Sequence, residues 1–360
     1  MTSPPQSVLV VSLRYFGDVL LTTSLIRTLR RGFAGAAIDV LLAAGTEEML
    51  EGNPDVREVV TVAERPGIDG YRALIRRLAR RYDLAVIAET GDRPHFYGYI
   101  AARRRAGLLP EPFGKRWWKA ALVRRGVYFA EHEPRVDGYR RLAQALALPY
   151  VAELVAPTAG IAASAWKARI GLDATRDAYA VLHLAPRFAY KRWHAEGWRS
   201  LIAWLDAKRL RIAVTGGKAP DERDYVRRVL GGSAVPVIDA TGALRFGETA
   251  DLLRGAALYV GPDTATSHLA AACGTPAVIL FGPTDPTLWG PLPREGLDRP
   301  YAAVAASQRR GNVLLLQEPT LPCVPCQREG CEHHRESHSA CLDAMSAARV
   351  IDAVREMTEV

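Results

Sequence analysis

Short apolar runs alternate with amphipathic stretches along most of the chain. Val8–Leu13 is apolar almost without interruption, the pattern of a strand buried on both faces. Apolar residues then recur at helical spacing through VLLTTSLIRTLRR to Arg31, and Ile38–Gly45 predicts a second strand. A third strand is expected near Val59, a basic helix over Tyr71–Arg81 and a fourth strand in YDLAVIAE. Strand and helix alternating across short turns predict a doubly wound parallel sheet.

A Pro/Ala/Gly-rich stretch follows, with WKARIGL as a helix inside it, and a second series begins at YAVLHLAP. A helix near Trp198–Lys208, the strand RIAVTGG, a charged helix after Asp221, the strand AVPVIDATG and a helix near Thr249–Arg254 come next. Ala256–Val260 and Pro276–Phe281 are strands that flank the small-residue helix in GPDTATSHLAAACG, a βαβ unit. SAARVIDAVREM closes the chain as an amphipathic helix. The expected class is therefore α/β, two doubly wound parallel sheets of similar size facing across a cleft. The expected domains are residues 1–155 and 178–345, a linker at 156–177 and a final helix at 346–360.

The length of 360 residues suits two cores. No apolar run is long enough for a membrane span, and the polar start MTSPPQ lacks the features of a signal peptide, so a cytoplasmic protein is expected. Neither G-x-G-x-x-G nor G-x-x-x-x-G-K-[ST] is present, which leaves dinucleotide dehydrogenases and P-loop kinases without a fingerprint. The formal charge of +8 is concentrated between Arg103 and Arg125, where eight basic residues face one acid, Glu111. Such a segment suits an anionic partner, whether phosphate groups, nucleic acid or an acidic membrane surface; a solvated basic helix is the plainer alternative.

Four stretches could carry chemistry. In Gly261–Gly274, Asp263 or Thr264 is placed to cap a helix whose first turns hold Thr266, Ser267 and His268. A helix start offers unpaired N–H groups and a positive dipole end to a phosphate. In LRYFGD, Asp18 lies between strand and helix, either as a cap or as a proton acceptor at the carboxyl end of the sheet. In HLAPRFAYKRWHAEGW, Lys191 and Arg192 could neutralise a departing diphosphate or be surface charges, with Trp193 and Trp198 as apolar anchors. In VTGGKAPDERDY, Glu222 or Asp221 could hold a ribose hydroxyl or favour a helix start. Cys323, Cys326, Cys331 and Cys341 have a zinc-like opening and irregular later spacing, and reduced structural thiols are preferred to a metal site.

Taken together, LRYFGDVLLTT, IDVLLAAGTEEMLEGNPDV, FAYKRW and DTATSHLAAACGTPAVILFGPTDPTLW resemble glycosyltransferase family 9, the bacterial lipopolysaccharide heptosyltransferases, along nearly the whole chain. The opening L-R-x-x-G-D-x-L-L-T-T and the loop F-x-Y-K-x-W look most like heptosyltransferase III. The resemblance implies a GT-B fold with two Rossmann-like domains, acceptor-binding then donor-binding, and a last helix that crosses back to the first. It implies an inverting transfer of heptose from ADP-heptose to the inner core of lipopolysaccharide, without a cofactor or catalytic metal. Asp18 matches the catalytic aspartate, Lys191 the lysine on the diphosphate, and Asp263, Thr264 and His268 the donor motif; Glu222 matches an acid on the nucleotide ribose. Ser267 is expected beside them on the donor. Arg103, Arg104, Arg105, Lys115 and Arg116 are expected to hold the anionic acceptor at the cytoplasmic face of the inner membrane, with no role for nucleic acid. Ala265 stands where many members have glycine. The same fold using another sugar nucleotide, or a non-catalytic nucleotide-sugar or polyanion-binding protein, is the alternative.

Overall fold

The computed structural model describes residues 3–111, 117–130, 132–160, 163–172 and 178–358. The chain divides into two compact units, Met1–Pro157 and Thr158–Val360.

In the first unit the strands are β1 (Ser7–Ser12), β2 (Ala37–Ala43), β3 (Glu58–Val62), β4 (Tyr82–Ile87), β5 (Ala102–Pro110) and β6 (Arg125–Phe129). The helices are α1 (Phe16–Gly32), α2 (Ile68–Leu78), α3 (Asp92–Ala101), α4 (Trp117–Leu122) and α5 (Arg135–Ala145). The sheet order is β3-β2-β1-β4-β5-β6, every pair parallel. Winding outward from β1 in both directions places its reversal point between β1 and β4, with Val11 paired to Ile87. Leu9 and Val11 point into a core with Leu74, Leu78, Tyr97 and Ala101 from α2 and α3, while α1 packs on α5. β5 was not foreseen: ARRRAGLLP has three arginines at its start and becomes apolar only where it passes under its neighbours.

The second unit begins with α6 (Ala163–Ile170) and continues through β7 (Tyr179–Ala185), α7 (Ala195–Ala207), β8 (Arg211–Gly216), α8 (Pro220–Leu230) and β9 (Ile238–Asp239). Then come α9 (Phe246–Arg254), β10 (Leu258–Pro262), α10 (Ala265–Cys273), β11 (Ala277–Leu280) and α11 (Pro286–Trp289). The hairpin β12 (Ser307–Arg310) and β13 (Val313–Leu316), a single turn α12 (Ala340–Asp343) and α13 (Ala347–Met357) complete it. The order β12-β13-β11-β10-β7-β8-β9 repeats the winding of the first unit, with β12 as an added antiparallel edge and the reversal between β7 and β10. α6, read from sequence as part of a linker, packs on α9 and pairs Arg169 with Glu248 at 2.6 Å. α13 packs on α7, β11 and β13, with Val350, Val354 and Met357 in that core.

α10 carries small residues because nearly all of it is buried against β10, β11 and α9. Its start is tied down by Tyr259, whose hydroxyl lies 2.9 Å from Ser267 Oγ. The ring reaches that far only because position 261 has no side chain: a Cβ there would overlap the Tyr259 hydroxyl and stand 3.1 Å from His183 Cβ. Gly261→Ala is therefore expected to destabilise the second unit by about 1–3 kcal/mol, as overpacked cores do. Urea unfolding of the full chain checks this, and an unchanged midpoint would mean that the Tyr259 tie is dispensable.

Candidate functional site

At the reversal point of the first unit, α1 starts just beyond β1, with Tyr15 in the capping position and no side-chain cap bond. Asp18 is the third helical residue, so the capping role left open from sequence falls to another position. Its side chain is buried between two cations: Oδ2 lies 3.3 Å from Arg14 Nε and Oδ1 lies 3.5 Å from Arg135 Nε. Arg135 is the first residue of α5 and lies over the Phe129 ring, 5.0 Å from its centroid. Glu89, just past β4, accepts the Leu13 N–H, and burial pushes its carboxyl above the usual range despite Arg14 and Arg135 nearby. Buried charge is costly unless it is paired. Here two acids and two guanidiniums share one site. Sequence reading found Asp18 alone; Arg14 stood inside its motif, while Glu89 and Arg135 had no local signal.

The second unit builds its site at the matching place. Lys191 ends a 3-10 turn after β7 and donates to Asp263 Oδ2 (2.6 Å) and Asp263 O (3.1 Å). Thr284, beyond β11, donates to the same Oδ2 at 2.8 Å. Thr264 is the residue that caps α10, by its backbone alone, and His268 is buried one turn in. At the end of β8, Glu222 turns inward to accept the Gly217 N–H at 2.6 Å, and burial raises its carboxyl. Asp221 instead pairs with Arg192 at 2.6 Å on the surface side. The turn carrying Lys191 is held from below by Trp193 and Trp198, both fully buried with rings edge-to-face at 5.0 Å. From above it is held by the cysteine-rich segment, through Ser339 Oγ to Tyr190 O (2.6 Å) and Ala189 N–H to Arg335 O (3.0 Å).

Ser267 is fully buried, with its hydroxyl donating to Pro262 O and shared with Tyr259, so it fixes the helix start. Arg103, Arg104 and Arg105 sit at the amino-terminal start of β5, the opposite end of the sheet from Asp18. Lys115 and Arg116 lie outside the described residues. Among the described residues no group of three or more His, Cys, Asp or Glu side chains is arranged to hold a metal. The cysteines are unpaired, and burial pushes the Cys341 thiol up to about 12.

Residues 71–316 match the family model described as glycosyltransferase family 9 (heptosyltransferase). Lipopolysaccharide heptosyltransferase 3 of Escherichia coli (strain K12) is 29% identical over 293 residues, 78% of this chain and 83% of that one. A solved family 9 glycosyl transferase from Veillonella parvula DSM 2008 superposes with a TM-score of 0.78 at 18% identity, covering 98% and 97% of the two chains. E. coli heptosyltransferase WaaC with ADP gives 0.69 at 22% identity, covering 98% and 100%. These likenesses carry the fold: GT-B, built from two Rossmann-like units.

One neighbour of the site titrates in a useful range. His183 on β7 is buried with Nδ1 3.1 Å from Thr215 Oγ1, and burial holds its pKa down to about 4 from 6.5. Below pH 6.5 the unfolded chain takes up a proton that the native chain refuses until about pH 4. Stability is therefore present above that window and lost on acidification through it, by up to about 3 kcal/mol. His95, also lowered by burial, adds to the same slope. In urea unfolding at pH 7 and pH 4.5, His183→Asn should lose less stability between the two than the parent. Equal losses would mean that His183 titrates normally.

Proposed function

The chain belongs to glycosyltransferase family 9 and is a transferase, and from that premise we propose that it moves heptose from ADP-heptose to a heptose hydroxyl of the lipopolysaccharide inner core, with inversion. The observation that carries the donor half is the meeting of Lys191, Asp263 and the start of α10 at the reversal point of the second sheet. An ammonium has three N–H donors. Two are accounted for by Asp263, which leaves one for a diphosphate oxygen. Beside it, the first backbone N–H groups of α10 supply the rest of an anion site. Thr264 and His268 line this start, and Glu222, beyond the end of β8, is suited to a ribose hydroxyl. Asp263, held by Lys191 and Thr284, orients that ammonium.

On the acceptor side Asp18 takes the hydroxyl proton as the oxygen attacks the anomeric carbon. The carbon–oxygen bond to the diphosphate breaks as the new one forms, and the negative charge leaves toward Lys191 and the helix start. A single displacement inverts the centre; a double displacement would need a nucleophilic carboxylate. The protein works at the cytoplasmic face of the inner membrane, where such an acceptor is anchored. Among the described residues no helix is long and apolar enough to cross it.

Asp18→Asn keeps the side chain's size and removes the proton acceptor. Loss of its charge beside Arg14, Arg135 and the α1 dipole should cost about 1–2 kcal/mol of stability, whereas turnover should fall roughly 10²–10⁴-fold. A folded variant with near-parental transfer from ADP-heptose to truncated lipopolysaccharide would send the search for the base elsewhere. Lys191→Ala should lower turnover more than donor affinity, because its contact strengthens as the diphosphate departs. Measuring both constants with ADP-, UDP- and GDP-sugars tests the donor at the same time, and a preference for another nucleotide would reject ADP-heptose.

A further inference from the structure

β4, β5 and β6 are neighbours in a parallel sheet, so their starts face the same edge, Tyr82 level with Ala102 and Arg125 with Ala106. Each start carries arginines: Arg80 and Arg81 before β4, Arg103, Arg104 and Arg105 in β5, Arg124 and Arg125 at β6. Adjacent strands are about 4.8 Å apart, so the seven arginines lie within roughly 10 Å across the sheet, staggered along it because Arg125 is level with Ala106. Among the described residues none of the seven forms an ion pair with a carboxylate. Asp83, beside Arg104, accepts the N–H groups of Gln6 (2.9 Å) and Ser7 (3.0 Å). Arg104, Arg105 and Arg125 donate to carbonyls of Ser3, Ala102 and Ala145, which carry no net charge. Arg81, Arg103 and Arg124 are exposed and their side chains make no hydrogen bond among the described residues. Arg80 and Arg105 both lie over the ring of Tyr99, 5.5 and 5.1 Å from its centroid, and Tyr99 is 41% exposed.

We propose that this arginine edge of the first unit, centred on Tyr99, is the surface by which the protein docks on an anionic phospholipid bilayer. Seven like charges gathered with Asp83 as the nearby acid repel one another, and an array of phosphate headgroups relieves that repulsion. Burial, and after it the neighbouring Arg80, lowers the Arg105 guanidinium from its ordinary value. An exposed tyrosine among the cations suits the headgroup layer, which accepts an apolar ring with a polar tip. The edge is not part of the sugar site. Arg104 is level with Leu84 and so with Val8, and β1 runs from there to Ser12 before α1 presents Asp18, a rise of roughly 13 Å along the strand. Resting on the transferase reading above, that separation holds Asp18 away from the bilayer, at the height of a sugar out from its lipid anchor.

The test uses the full chain and vesicles of phosphatidylcholine with or without phosphatidylglycerol. Cosedimentation is expected only with the anionic vesicles, and it should weaken as salt is raised. Arg81→Gln, Arg103→Gln and Arg124→Gln combined, one from each strand start, should lower vesicle partition roughly 10²-fold, at about 1 kcal/mol for each arginine. The triple variant should keep the parental unfolding midpoint and transfer normally to a lipid-free acceptor oligosaccharide. Equal partition of parent and triple variant would overturn the proposal, as would tighter binding of the parent to tRNA than to the anionic vesicles. Absent transfer with intact, arginine-dependent vesicle binding would support this surface and fault the transferase reading instead.

Discussion

Parallel strands can be joined only by long crossovers, and those crossovers have one hand; both halves of this protein rest on that constraint. A chain that winds outward from a central strand in both directions must place its helices on opposite faces. The carboxyl ends of the two central strands are then left open between diverging connections. The first unit meets this condition at β1 and β4, the second at β7 and β10. Asp18 and Glu89 stand just beyond one pair, Lys191 and Asp263 just beyond the other. Two sequences with little in common thus put their charged groups at the same place in the same topology.

Charge in the first unit is sorted along the strand direction. At the carboxyl end, where Asp18 and Glu89 are buried, each acid faces guanidiniums, because an unpaired buried carboxylate would be neutralised or would unfold its surroundings. At the amino-terminal edge Arg81, Arg103 and Arg124 are exposed, so water screens part of their mutual repulsion and the fold tolerates them without ion-pair partners. Nearly all the chain's surplus positive charge lies in the segment that supplies β5, α4 and β6. Its arginines gather on that edge and its Lys119 is drawn inside, where it bonds Thr90 O at 2.7 Å.

In the second unit the same burial argument explains why Lys191 rests on Asp263. A half-buried ammonium and a buried carboxylate offset each other's desolvation, and Thr284 takes part of what remains. The turn that presents Lys191 is short and irregular, so its position depends on what packs around it. Two buried tryptophans on one side and the cysteine-rich segment on the other supply that packing. The segment's thiols, whatever their spacing suggested, belong to a strap across the loop that carries the cation.

The order of strands and helices was legible because it follows from local periodicity: Val8–Leu13, Ile38–Gly45 and Ala256–Val260 are strands by their unbroken apolar runs, and α10 is a helix by its small residues between two such runs. The positions of Asp18, Lys191, Asp263 and Thr264 were legible because each follows closely on a strand, at the open carboxyl end of a sheet. β5 was not legible, since its buried half is short and its arginines mask the period. The orientation of Ser267 was not legible, because being in the first turn of a helix does not say which side of the helix a hydroxyl takes, and packing against Tyr259 turned it inward. The pairing of Asp18 with Arg135 and the gathering of seven arginines on one edge join segments far apart in sequence. The residue types in the sequence determined that such charges existed. Only the strand order, set by which apolar faces bury against one another, decided which charges meet and which are left facing water.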